Sequence, residues 1–178
     1  IGHNACYGIS TGQANVILGN TGFSLGTTSN TTLIGYTAGY AINNTGANGT
    51  VAVGYEALRY LTSGVGNTAV GYQAGLNLED DRHNTLIGYL AGEKVGTGPQ
   101  YAGEHNTMVG SEAGQQITGS KNVIMGYQAG HGKQTSAPFN QAASNVILGY
   151  QAGYLIENGG TNILIGDSAG YAASGSVN

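Results

Sequence analysis

One nonapeptide recurs along this chain, and it leaves few folds open. Residues 67–75 read Asn-Thr-Ala-Val-Gly-Tyr-Gln-Ala-Gly, and near copies stand at 84–92, 106–114, 122–130 and 145–153. An internal repeat outranks other sequence signals, because each unit is too small to bury a core alone and must stack on its neighbours. Indexed on its central glycine, the repeat extends to ten copies: Gly2, Gly19, Gly35, Gly54, Gly71, Gly88, Gly110, Gly126, Gly149 and Gly166. The gaps are 17, 16, 19, 17, 17, 22, 16, 23 and 17 residues, so the unit is 16 or 17 residues with three insertions.

The columns around that glycine carry the fold. The residue just before it is always apolar, from Leu18 and Ile34 to Leu148 and Ile165. The residue two before is apolar as well, and three before stands only Val, Thr or Ile. A short β-branched run bounded by Asn and Gly is a strand signal. Neighbouring strand residues point to opposite faces, so apolar residues on both faces predict burial of both. One face fills the inside of a coil. The other needs a partner surface, which we assign to further copies of the chain.

Glycine in all ten copies predicts a positive φ or a close backbone approach. Ala follows three residues later in nine copies, among them Ala38, Ala74 and Ala152, and a second glycine follows in seven. An apolar residue returns seven after the index glycine at Ile9, Ile42, Leu61, Leu78, Val95, Ile117 and Ile156, and reads as the inward anchor of a second, shorter strand. The expected fold is all-β: a parallel β-solenoid of about ten coils, residues 1–178 forming one repeat domain. At roughly 4.8 Å per coil the rod would be on the order of 45 Å long. Asn recurs four before the glycine at positions 15, 67, 84, 106, 122, 145 and 162, which predicts a side-chain amide ladder along the rod.

These units, Asn-Thr/Val-Ala/Ile-Val/Ile-Gly-x-x-Ala, resemble the head repeats of trimeric autotransporter adhesins. The form with Tyr after the glycine and Ala-Gly closing it is more similar to repeats of bacteriophage and other viral tail-fibre proteins. The resemblance implies a left-handed β-roll, a homotrimer, and an extracellular place on a virion surface or, alternatively, on a bacterial cell surface. It implies an attachment fibre of which this chain is one segment, and no enzyme. The units here are longer than the adhesin-head coil and carry more tyrosine.

Composition narrows the classes further. Charged residues are only 8% of the chain, against about a quarter in ordinary domains, and net charge is −4 with five Lys and Arg, which argues against nucleic acid as a partner. No apolar run reaches the ~18 residues of a membrane span, so no membrane insertion by this segment is expected. Cys6 is the only cysteine and reads as a small buried residue.

Candidate chemistry is sparse. The run Glu79, Asp80, Asp81, Arg82, His83 reads as a solvated loop, and Glu104-His105 reads the same way. His3 and His131 lack a second ligand at metal spacing, the glycine-rich loops lack a P-loop lysine, and no nucleophile sits in a catalytic frame. No catalytic, metal or cofactor site is expected. Two features remain for recognition. The insertions at 41–48, 93–105 and 131–144 should loop out from one face. The tyrosines after the index glycines (Tyr36, Tyr55, Tyr72, Tyr89, Tyr127 and Tyr150) either stack on one another or form an aromatic stripe for sugar rings of a host glycan. Thr68, Thr85 and Thr107 form a short threonine array, too brief for an ice-binding surface.

Overall fold

The structure, a computed structural model, describes residues 1–3, 5, 8–20, 26–43, 45–96, 103–133 and 141–172. Among these residues nine three-residue strands run parallel in one sheet, in chain order and without crossover. They are β1 (Val16–Leu18), β2 (Thr32–Ile34), β3 (Val51–Val53), β4 (Thr68–Val70), β5 (Thr85–Ile87), β6 (Thr107–Val109), β7 (Val123–Met125), β8 (Val146–Leu148) and β9 (Ile163–Ile165). The chain is a β-solenoid of about eight turns, and each strand lies on the equivalent residues of the next. Thr68, Ala69 and Val70 pair with Thr85, Leu86 and Ile87, for example. One 3₁₀ turn, Thr45–Ala47, interrupts the pattern.

The first of the ten repeat copies forms no strand, though Ile1 still belongs to the stack. Its carbonyl accepts from Gly19 N–H at 2.8 Å, and its amino group donates to the Ile17 carbonyl at 3.0 Å.

The index glycines satisfy both readings of that column. From Gly2 to Gly149 their φ lies between +115° and +142°. A Cβ built on Gly71 would sit 2.3 Å from the carbonyl oxygen of Gly88, and the same overlap recurs at each coil up to Gly149. The corner turns the chain and brings the next coil's backbone into the space a side chain would need. Gly166, on the last coil, keeps the torsion at φ +127° but has only Ala169 Cβ nearby, at 3.9 Å.

Among the described residues, the expected second strand of the unit does not form. After the glycine the chain continues as a string of turns. Ala74, Leu76 and Leu78 N–H donate back to Gly71, Gln73 and Gly75 carbonyls within the coil. Gly75 and Asn77 N–H donate onward to Ala91 and Glu93 of the next coil. Alternating local and onward bonds satisfy the backbone without an extended segment. Of the expected inward anchors, Ile42, Leu61, Leu78, Val95, Ile117 and Ile156 are fully buried, and Ile9 is partly buried against the core.

The core is a column of like residues. Each strand's middle residue, from Ile17 to Leu164, points inward and is buried, facing the Ala column and the apolar anchors. Volume is balanced between positions. Where β3 and β4 carry only Ala52 and Ala69, the site usually held by the second glycine is Leu58, fully buried at φ +51°. Its Cδ2 reaches to within 2.8 Å of where a Cβ on Gly75 would lie. One leucine from the turn thus replaces the bulk missing from two strands.

Two outcomes are expected. Leu58→Ala should destabilise by about 2–5 kcal/mol, as a large-to-small core change does. Ala52→Leu combined with Leu58→Gly restores the commoner arrangement, seen at Leu33 with Gly39, and should fall within about 1.5 kcal/mol of wild type. Denaturant midpoints read both. In thermal melts, Gly71→Ala should cost clearly more than Gly166→Ala, because both meet the torsion but only Gly71 meets a backbone.

Candidate functional site

Two surfaces follow from the stacking, beginning with the outer face of the sheet. The first and third residue of each strand point away from the core and remain partly or fully exposed. These two columns hold only Val, Thr, Ile, Leu and Met, and exposure reaches 68% at Ile163 and 63% at Ile165. Thr68, Thr85 and Thr107 lie side by side within it. The sheet therefore buries one face inside this chain and leaves the other apolar and open.

The tyrosines form the second surface. Tyr36, Tyr55, Tyr72 and Tyr89 stack with centroids 5.5, 5.1 and 5.3 Å apart and planes within 6–16°. Tyr127 and Tyr150 stack at 5.5 Å. Each ring lies on the next, so inside the ladder only edges and hydroxyls meet solvent, and flat faces open only where the ladder ends or breaks. Beside Tyr55, the Glu56 carboxylate raises the phenol's pKa above its ordinary 10.0, with smaller contributions from burial and from Tyr72 and Tyr36. A second aromatic column, five residues after the index glycine, joins His131, Tyr154 and Tyr171 at 4.9 and 5.1 Å. The sequence reading passed over it, although the fixed offset was available as a signal.

Polar ladders run through the same stack. Along Asn67, Asn84, Asn106, Asn122, Asn145 and Asn162, each Oδ1 accepts the next residue's backbone N–H at 2.9–3.0 Å and its Nδ2 at 3.0–3.2 Å. Several Nδ2 groups also donate to a carbonyl, as Asn106 does to Gly119 at 3.0 Å. These amides are buried and paired, as the repeat predicted, while Asn15, expected in the same ladder, instead accepts from Thr31 N–H at 3.0 Å. A further row escaped the sequence reading. Gln73 donates to Glu56 at 2.7 Å, and Gln128 to Glu112 and Gln151 to Gln128 at 2.8 Å each. All five residues have positive φ, between 49° and 57°. Nothing in their side chains announces that backbone state.

The charged loop of 79–83 needs a correction. Glu79, Asp80, Arg82 and His83 are exposed, Arg82 pairing with Glu104 at 2.9 Å, but Asp81 is buried. Its column holds Gly64 on one side and Gly103 on the other, and its carboxylate lies against Gly96, where a Cβ would fall 1.6 Å from Oδ2. Gly103 N–H donates to Oδ1 at 2.6 Å, while Oδ2 has no hydrogen-bond partner among the described residues. Burial, then the charges of Asp80 and Glu104, push its pKa up from 3.8 to about 6, against the lowering effect of N–H donors at Gly103 and Glu79. His83 and His105 stack at 5.3 Å. Among the described residues, no three His, Cys, Asp or Glu side chains gather in a metal-binding group.

The expected recognition loops fall only partly within the described residues. Of 41–48, Ile42 and Ala47 join the core and Asn48 Oδ1 accepts from Ser29 N–H at 2.7 Å. Residues 97–102 and 134–140, with both prolines, and Cys6 lie outside the described residues. Comparison of the chain with protein-family models, with curated proteins and with solved structures gives no match.

Asp81 carries a pH signature. Its folded pKa lies above its ordinary value, so the folded state holds this proton more tightly. Its carboxylate lowers stability fully above about 6, progressively less down to 3.8, and not at all below that. Asp81→Asn keeps an acceptor for Gly103. It should raise the melting temperature above pH 6 and flatten the profile between the two values. Parallel profiles for the two proteins would show that burial leaves this carboxyl unperturbed.

Proposed function

We propose that this chain is a non-enzymatic segment of an extracellular attachment fibre, of the viral tail-fibre kind, built from three copies and directed at host-surface glycan. The observation that carries this reading is the open outer face of the sheet. Nine coils present two columns of apolar and threonine side chains with no charge among them. An apolar strip of that extent on an isolated protein favours association. A second copy has the same coil spacing, so its side chains can fit between these along the whole strip, and three such strips close into a rod. The low charge, the resemblance of the repeats and the solenoid itself support the same reading. The bacterial-adhesin alternative shares all of these features, and the long Tyr-bearing unit favours the viral one.

Light scattering on the purified chain tests the assembly. The expected mass is three times 18.0 kDa. Val70→Lys, which places a charge in the middle of the strip, should reduce the mass to that of one chain while circular dichroism retains the sheet. A wild-type monomer would overturn the reading.

A further inference from the structure

The tyrosine ladder has one missing rung. Tyr89 follows the glycine after β5 and Tyr127 the glycine after β7, while the coil between them carries Ser111. Tyr89 and Tyr127 therefore stand two ladder steps apart, and elsewhere one step is filled by one six-membered ring. Among the described residues, the faces that these two rings turn toward each other carry no aromatic neighbour. Tyr89 is 49% and Tyr127 45% exposed, against 43% and 42% for Tyr55 and Tyr72 inside the ladder. The floor is polar, because the Ser111 hydroxyl makes no hydrogen bond among the described residues, while its carbonyl accepts from Gln128 N–H at 2.9 Å.

We infer that the notch between Tyr89 and Tyr127, floored by Ser111, binds a single pyranose ring sandwiched between the two phenol faces. The inference rests on the attachment reading above and says where on the rod a glycan docks. Two aromatic walls select the sugar's stereochemistry. Both faces of the pyranose must present C–H groups, so its hydroxyls must be equatorial, as in β-gluco-configured units. Its polar rim then meets water and the serine hydroxyl. A purely aromatic guest would fill the step but bury that hydroxyl without a partner.

Titration calorimetry with cellohexaose and chitohexaose, both β-gluco-configured, provides the test. The full chain should bind at least one of them. Ser111→Tyr completes the ladder and should weaken binding by about tenfold or more, the worth of one to two ring contacts. It should leave the melting temperature unchanged or higher. Ser111→Ala keeps the notch and should retain binding, weakened only by the lost hydroxyl. Failure of the wild type to bind either saccharide, or equal binding by Ser111→Tyr, overturns the notch. So does p-cresol bound at Ser111 without either saccharide, which would make the guest an aromatic ring. Should other surface glycans bind wild type and Ser111→Tyr alike, attachment stands and only the notch falls. If no glycan binds at all, both fall.

Discussion

The contact on which the stack depends is the one at the index glycine, where the carbonyl of one coil occupies the place of a side chain on the coil before. With a Cβ at 2.3–2.5 Å from that oxygen, no other residue fits at nine of the ten positions. The close approach holds successive coils in one register, and every other column follows from it. Residues at equal offsets lie over one another at strand spacing. Identical side chains therefore become neighbours: asparagine over asparagine, tyrosine over tyrosine, and apolar over apolar in the core.

Stacking like on like is favourable only for certain side chains. An amide both donates and accepts, so a buried asparagine column satisfies itself down its length. Flat rings stack, and Gln alternates with Glu or Gln. A column of carboxylates would repel, and Asp81 stands alone in a column otherwise made of Gly, Ala and Thr. Its raised pKa is the consequence of one charged residue in a place built for small ones. The left-handed torsions at Glu56, Gln73, Glu112, Gln128 and Gln151 cost about 1–2 kcal/mol each. The side-chain bonds along that row help to offset them.

Breaks in the columns are where this rod differs from a uniform one. Ser111 interrupts the tyrosines, Asp81 interrupts the small residues, and Leu58 moves bulk from strand to turn. A break in a ladder exposes surfaces that stacking otherwise covers. For that reason the faces of Tyr89 and Tyr127, and not the ladder as a whole, suit a ring-shaped ligand.

Much of this was legible in the chain itself. The repeat period, the strand triplets, the glycine corner, the asparagine ladder and the inward anchors all depend on residue type at a fixed offset, and the sequence records both. Backbone state at ordinary residues was not legible. The segment after each glycine carries an apolar anchor that reads as strand, yet it runs as turns closed by local hydrogen bonds and tied by others to the next coil, and the latter exist only once coils stack. The burial of Asp81 likewise depends on Gly96 and Gly103 of the next coil, 15 and 22 residues on along the chain. So does the choice between covered and open tyrosine faces, which requires knowing that Ser111 lies between Tyr89 and Tyr127 in space. By itself, then, the sequence determined the coil and its period, because these are local and repeated. Only the tertiary structure decided which side chains meet, because register between coils creates contacts that no single coil contains.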